Sequence, residues 1–178
     1  MKTISLLLGL ISRKGEIMEE IKKLTSDSDI YRSADIIRKA FEDVTKKFQI
    51  TKENFPSYAA FITPEKLKGF KAKGGEMYGL FIDNVQAGFV AIEEARQGIY
   101  YLMKLSILPE YRHKKYGEKL MQSMFETVKT RNGKIISMAV LEDAATLKEW
   151  YIKLGFKEVR KQKFHHIPYP VCFMEKEI

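Results

Sequence analysis

The sequence predicts a single α+β domain on a mixed, mostly antiparallel sheet of six to seven strands with about four helices. Three β-rich runs follow one another between residues 77 and 108, which is the order of an antiparallel meander. A strand, a helix and another strand then follow between residues 100 and 140, and such a unit forms a right-handed parallel crossover. We therefore expect one parallel pair at the centre of the sheet.

The first strand and helix are indicated by a capping sequence and an apolar repeat. Ile21 and Leu24 open a short strand, and the polar residues 26–29 then offer side-chain oxygens that cap a helix. Apolar residues follow at steps of four and three, as on one buried helix face. These residues are Ile30, Ala34, Ile37, Phe41, Val44 and Phe48.

A second, shorter helix begins after an irregular aromatic stretch. Residues 51–62 either line a pocket or simply pack, and packing is the simpler interpretation. Thr63 is the predicted N-cap, and Pro64 stands at the first helical position, where its missing N–H costs nothing. Gly74 and Gly75 end the helix.

The central strands are separated by turn residues. Residues 77–82 and 85–92 form a predicted hairpin, because Asp83 and Asn84 both tolerate positive φ. A turn at 97–98 leads into a third strand over residues 99–108.

The C-terminal half alternates helices with strands. The first helix has its apolar face at Leu120, Met121, Met124, Phe125 and Val128, and it ends at Asn132-Gly133. The predicted elements that follow are a strand at 135–141, a helix at 144–154 closed by Gly155, and strands at 156–164 and 171–175.

Composition excludes several classes of protein. The chain has 178 residues, 45% hydrophobic and 30% charged, which suits one ordinary globular domain and excludes a disordered tail. The longest apolar run, residues 4–11, is far shorter than the roughly 20 residues that span a bilayer. We interpret residues 1–17 as an N-terminal extension and residues 18–178 as the domain.

Cysteine and histidine usage bears on compartment and metal. The single Cys172 cannot form an intramolecular disulfide, so a cytoplasmic protein is expected, and its apolar neighbours in a predicted strand suggest a small buried side chain. The three histidines, His113, His165 and His166, form no zinc motif, and no metal site is predicted.

The net charge of +8 favours an anionic partner without identifying it. Nucleic acid, the phosphates of a nucleotide and a solvated basic surface with no partner all fit this charge. No helix-turn-helix or RNP signature supports nucleic acid.

Residues 105–120 predict a strand, a tight basic loop and a helix in direct succession. Their sequence is L-S-I-L-P-E-Y-R-H-K-K-Y-G-E-K-L. The unpaired N–H groups of a helix's first turn and the helix dipole hold phosphate. The basic residues Arg112, His113, Lys114 and Lys115 would add to the positive electrostatic potential at this helix start. Gly117 has no Cβ, so the backbone can approach a ligand closely there. The segment therefore predicts an anion site.

This segment resembles the acetyl-CoA loop of the GCN5-related N-acetyltransferases (GNAT), which reads Gln/Arg-x-x-Gly-x-Gly/Ala at a helix start. A second segment, L-K-E-W-Y-I-K-L-G-F at 147–156, is similar to the family signature in which a helix ends in Tyr-x-x-x-Gly-Phe. The likeness extends over about residues 21–178 and implies the GNAT fold and an acetyl-CoA-dependent N-acetyltransferase.

The resemblance assigns roles to residues of this chain. It implies that backbone of Ile107 and Leu108 contacts the pantetheine arm of the coenzyme. The residues that it places around the pyrophosphate are Arg112, His113, Lys114, Lys115, Tyr116, Gly117, Glu118 and Lys119. Two residues depart from the family pattern: Lys115 stands at the first loop glycine, and Ala144 stands where many members have an asparagine that bonds the coenzyme or orders the preceding loop.

The resemblance also makes Tyr151 the general acid. Acyl transfer from a thioester needs a proton source for the departing thiolate, and a phenol with a pKa near 10 is protonated at neutral pH. The alternative role of Tyr151 is packing beside Trp150.

A general base is harder to assign. Glu93, Glu94 and His165 are candidates, although each is also readily explained as a surface residue, and positioning alone lowers much of the barrier. For the acceptor, the resemblance places Tyr58, Phe61 and the link at 165–170 at the far end of the cleft. The expected partner is a small-molecule or peptide amine, without nucleic acid or membrane.

Two alternatives stay open at the level of sequence. Lys115, Ala144 and the missing base are compatible with a catalytically weak acyl-CoA-binding or regulatory module, and the net charge is compatible with a nucleic-acid binder. Family members often pair through their C-terminal strands, so the resemblance is also compatible with a homodimer.

Overall fold

The computed structural model describes residues 17–165 and 167–178. The predicted extension at 1–17 therefore lies, except for Ile17, outside the described residues, as does His166. None of the helices in the described part of the chain has the length and apolar character to cross a bilayer.

A seven-stranded sheet forms the centre of the domain, with the strand order β1-β2-β3-β4-β5-β7-β6. Its strands are β1 Glu19–Lys23, β2 Glu76–Ile82, β3 Val85–Arg96, β4 Ile99–Ile107, β5 Ile135–Leu141, β6 Lys157–Gln162 and β7 Val171–Glu177. Among the described strands, only β4 and β5 pair in parallel, and the other five pairs are antiparallel. The predicted α+β class with a central parallel crossover is confirmed.

Four helices cover the sheet: α1 Asp27–Phe48, α2 Pro64–Ala72, α3 Tyr116–Thr130 and α4 Ala145–Lys153. Ser26 caps α1 in a reciprocal capping box with Asp29, and the Thr63 side chain caps α2. Asp83 and Asn84 have φ of 48° and 66°, as the β2–β3 hairpin requires. The local signals of the sequence therefore act where they were expected.

Two hydrophobic clusters lie on opposite faces of the sheet. One contains the apolar faces of α3 and α4, including Leu120, Met124 and Tyr151. The other contains α1 and α2, including Ile37 and Leu67. A ligand that contacts both faces must therefore pass through an opening in the sheet.

The sheet opens at the parallel pair, β4 and β5. Residues Ile99–Tyr101 of β4 lie opposite Ile135–Ser137 of β5, and beyond these three positions the two strands no longer pair. In the same part of β4, Lys104 has a φ of 55° and the register with β3 shifts, which marks a β-bulge. The ends of β4 and β5 therefore separate, and we call the gap between them the fork.

Candidate active site

The loop between β4 and α3 presents backbone donors beside the fork. A single 3₁₀ turn, Pro109–Tyr111, leads from β4 into this loop. Within the part of the chain that the structure describes, no N–H from His113 to Glu118 has a hydrogen-bond acceptor. His113 and Lys115 both have φ of 62°, and alternation between left- and right-handed backbone produces concave, anion-binding sets of N–H groups. The geometry therefore suits a phosphate group.

Lys115 occupies the left-handed conformation for which glycine is the usual residue. It is the N-cap of α3, with φ 62° and ψ 11°, and its side chain makes no capping hydrogen bond. A residue with a Cβ pays about 1–2 kcal/mol for this conformation. The departure from the family glycine thus leaves the turn geometry in place at an energetic cost.

Arg112 has a structural role that the sequence did not reveal. Its guanidinium donates to the carbonyl oxygens of Ala40 and Ile107, at 2.6 and 3.2 Å, and to a carboxylate oxygen of Asp43 at 2.8 Å. These contacts hold α1 against the end of β4. Arg112 therefore adds less to the positive electrostatic potential of the loop than expected, because its side chain faces α1 and its charge is paired with Asp43.

The other side chains of the loop divide into exposed and buried ones. His113, Lys115 and Glu118 are exposed. Lys119 is tied to Glu19 of β1, whereas Tyr116 is buried in the core. The exposed side chains surround the free N–H groups without covering them through a hydrogen bond.

The two residues before the loop are already engaged with neighbouring backbone. The Leu108 N–H donates to the Ala87 carbonyl oxygen at 2.9 Å, and the Leu108 carbonyl accepts from the Tyr111 N–H. The Ile107 carbonyl accepts from Arg112. A ligand at these two carbonyls would therefore use their second lone pairs.

Tyr151 lies on α4, in the cluster that also contains Leu102 of β4 and Met138 of β5, the strands that flank the fork. Only 3% of the residue is exposed, and its ring packs edge-on against Trp150 and Phe156. Its hydroxyl makes no hydrogen bond to any described residue. Burial raises the pKa of Tyr151 well above 10, so the phenol is protonated at neutral pH.

Trp150 connects the two helices on this face. Gly117 of α3 lies beneath the indole, which leaves room for no more than one methyl group there. The sequence indicates Trp150 only as a packing neighbour of Tyr151. Its position over the loop glycine depends on the docking of α4 on α3, for which the sequence carries no local signal.

The candidate bases lie apart from one another. The Glu94 carboxylate accepts the Gly98 N–H at 3.0 Å and so belongs to the β3–β4 turn. His165 is exposed, whereas Glu93 is half-buried on β3. On β3, Glu93 pairs with Tyr101 of β4, three residues before Lys104 in the bulge.

A cluster of aromatic residues, the aromatic wall, lies between the end of α1 and the end of β5. Tyr58 packs edge-on against Phe41, with ring centroids 5.6 Å apart, and lies 5.2 Å from Phe55. The Tyr169 hydroxyl donates to the Phe48 carbonyl oxygen at 2.8 Å, which joins the β6–β7 link to the end of α1. The cluster also contains Phe61, Ile167, Leu141 and Ala144. The aromatic residues that the sequence assigned to the acceptor end do lie together.

A separate polar cluster lies near the start of α4. Glu142, Glu158 and Cys172 have ligand atoms within 4.8 Å of one another. However, the Lys148 ammonium lies 3.1 Å from Glu142 and 2.9 Å from Glu158, and Lys161 pairs with both carboxylates. These ion pairs occupy the position that a metal ion would need. Cys172 is fully buried, as expected.

Comparison with known proteins agrees with this geometry. Residues 73–158 match the family model for the acetyltransferase (GNAT) domain. The PaiA N-acetyltransferase from Thermoplasma acidophilum, solved with coenzyme A, has a TM-score of 0.74 and 22% identity, over 90% of this chain and 99% of that one. The ribosomal-protein-S18-alanine N-acetyltransferase from Escherichia coli has a TM-score of 0.72 and 14% identity, over 90% and 94%. No curated protein sequence matches the chain.

The fold and the matched domain define an acyltransferase. Residues 73–158 match the GNAT acetyltransferase domain, and acyltransferases of this kind use acetyl-CoA as acyl donor.

Proposed function

We propose that the protein is an N-acetyltransferase that moves the acetyl group of acetyl-CoA directly to a primary amine in a ternary complex. The observation that carries this proposal is the row of N–H groups from His113 to Glu118, which have no acceptor among the described residues and follow the fork at the start of α3. Six such donors at a helix start suit a diphosphate.

The coenzyme would lie on the face of α3 and α4. The N–H groups of the loop bind the pyrophosphate, with Lys114, Lys115 and Lys119 around it, and the pantetheine arm follows Ile107 and Leu108 into the fork. Because Arg112 is held by α1, its part in coenzyme binding is to position the loop.

The reaction would proceed at the fork. The neutral amine nitrogen attacks the thioester carbonyl carbon, the carbon–sulfur bond then breaks, and the thiolate takes the proton of the Tyr151 hydroxyl. The amine loses one proton to water or to Glu93. Water then supplies a proton to the Tyr151 phenolate, which returns to its neutral form. No covalent enzyme intermediate is formed, in keeping with the burial of Cys172.

The test combines coenzyme binding with turnover. A thermal-shift titration with acetyl-CoA is expected to raise the melting temperature, because a ligand that binds only the folded form stabilises it. Release of free thiol with a panel of amines and peptides is then expected to identify acceptors. Binding of acetyl-CoA without thiol release on any acceptor would favour the acyl-CoA-binding module instead.

A lone buried cysteine suits a cytoplasmic protein.

The edge strand β6 carries Lys157, Arg160 and Lys161, and such charges oppose edge-to-edge pairing of two copies. A homodimer would therefore use another surface.

Steep salt-dependent binding to nucleic acid, without coenzyme binding, would indicate a nucleic-acid-binding protein instead.

A further inference from the structure

Lys104 is the most unusual charged residue near the fork. It lies in the bulge of β4 with φ 55°, at the level where β4 has separated from β5. A non-glycine residue in the left-handed region inside a strand is strained, and such strain is concentrated at functional sites.

The side chain of Lys104 is half-buried and lacks a partner. Its ammonium makes no hydrogen bond or ion pair with any residue that the structure describes, whereas many lysines on the surface of the domain do. Burial lowers the pKa of Lys104, opposed by the charge of Glu93 and reinforced by that of Lys66. A desolvated ammonium without a counter-ion is unfavourable in the free protein and gains when an anion binds.

The position of Lys104 assigns it to the acceptor side. Glu93 alternates along β3 with Phe89 and Ala91, both of which belong to the α1–α2 cluster. Lys66 is on α2 itself. The charges that act on Lys104 thus lie on the face opposite α3, where the coenzyme is proposed to bind, and an acceptor must approach the thioester from this other face.

The local charge favours a single negative charge on the ligand. Lys104, Lys66 and Glu93 together have a formal charge of +1 at neutral pH. A monoanionic carboxylate balances this charge, whereas a phosphate dianion exceeds it and a second cation is repelled.

We infer that Lys104 binds a carboxylate of the acceptor, so that the preferred substrates are amines that also carry a carboxylate group. This inference rests on the proposed acetyl transfer and extends it to substrate class. Glu93 lies on the same face and is placed to attract the amino group of the same molecule.

The experiment compares matched acceptors. Values of kcat/KM are measured for α-, β- and γ-amino acids, each against the amine that lacks only the carboxylate, with spermidine as a polycationic acceptor. In at least one pair the wild-type protein is expected to favour the amino acid by about tenfold, as for a close charge pair, and spermidine is expected to be poor. In Lys104→Met the ratio within that pair is expected to fall to about one.

Two further variants separate charge recognition from damage to the fold. Lys104→Arg keeps the positive charge and is expected to keep the ratio. Lys129→Met removes an exposed lysine from the far end of α3 and is the matched control for a loss of one charge. Melting temperatures verify that each variant is folded.

The outcomes are distinguishable. Equal acetylation of both members of every pair by the wild-type protein, or an unchanged ratio in a folded Lys104→Met, would overturn the inference and leave the acetyltransferase proposal standing. If the wild-type protein acetylates none of the amines, both the inference about Lys104 and the acetyltransferase proposal are overturned.

Discussion

Trp150 of α4 lies directly over Gly117 of α3: a Cβ placed on Gly117 would be 3.4 Å from the indole Cζ2. This distance is an ordinary van der Waals contact, so the space above the glycine holds one methyl group and little more. The two segments that carry the family resemblance are therefore in direct contact in the folded domain.

Gly117→Ala should consequently fold and bind acetyl-CoA with a dissociation constant within about threefold of the wild type. Alanine adds one methyl group in van der Waals contact with Trp150 and is a better helix former than glycine, by up to about 1 kcal/mol. Gly117→Leu should displace the indole and weaken binding by at least about tenfold, since overpacking costs about 1–3 kcal/mol. Calorimetric titration with acetyl-CoA measures both, and equal affinities for the two variants would contradict the contact.

Tyr151→Phe should reduce turnover by roughly 10- to 1000-fold with little change in coenzyme affinity, because only the proton donor is lost. The fold should be unaffected, since the hydroxyl makes no hydrogen bond to a described residue and the ring remains between Trp150 and Phe156. Thiol release at saturating acetyl-CoA is the measurement. Tyr31→Phe, at an exposed position on α1, is the matched control. An unchanged rate in Tyr151→Phe would remove this residue from the mechanism.

Lys115→Gly should leave coenzyme binding as tight as in the wild type or tighter. Glycine adopts the φ of 62° without strain, which offsets its larger loss of backbone entropy on folding, so stability should change by less than about 1 kcal/mol. Lys115→Val should lower stability by about 1–3 kcal/mol and weaken binding, because a β-branched residue resists this conformation. Loss of coenzyme binding in the glycine variant would show that the lysine side chain, rather than the turn, holds the ligand.

The elements of the fold could be predicted because their signals are local. The capping box at Ser26, the hairpin residues Asp83 and Asn84 and the apolar spacing of α3 each act within a few residues along the chain. The order of these elements then leaves few topologies, and the parallel crossover follows from connection handedness.

The finer geometry of the site could not be predicted, because it depends on contacts between distant segments. No residue around Lys104 signals a bulge: its positive φ coincides with a register shift against β3 and with the end of the pairing between β4 and β5. The inward turn of Arg112 depends on Ala40 and Asp43, about seventy residues away in sequence. The aromatic wall was predicted only in part, because the resemblance supplied Tyr58 and Phe61 but not their packing with Phe41 and Phe55.

Acid should destabilise the domain through Glu76. The Arg131 guanidinium, assisted by Lys23 and Tyr78, lowers the pKa of this carboxyl from 4.5 to about 2. Since the folded state binds the proton more weakly than the unfolded chain, the stabilisation is complete above about pH 4.5 and is lost as the pH falls towards 2. Unfolding in urea across this range should show a shallower loss of stability in Glu76→Gln than in the wild type. Glu110→Gln, whose exposed side chain makes no ion pair with a described residue, should retain the wild-type slope.

Arg112 should act on the coenzyme only by holding the loop. Its three hydrogen bonds to Ala40, Asp43 and Ile107 join α1 to the end of β4, and hydrogen bonds that involve a charged group contribute about 1.5–3 kcal/mol each at most. Arg112→Met should therefore lower the free energy of unfolding by at least about 1.5 kcal/mol and weaken acetyl-CoA binding at the same time. Asp43→Asn, which is remote from the proposed coenzyme face, should produce a smaller loss of both, about 0.2–1 kcal/mol in stability, because the carboxylate is mostly exposed.

A double-mutant cycle over these two positions tests the same point. If Arg112 works through α1, the double variant should be less destabilised than the sum of the single variants, since both changes remove one shared ion pair. Urea unfolding gives the stabilities, and calorimetric titration gives the coenzyme affinities. Weaker coenzyme binding in Arg112→Met without any loss of stability would instead mean that the guanidinium leaves α1 and reaches the phosphates itself.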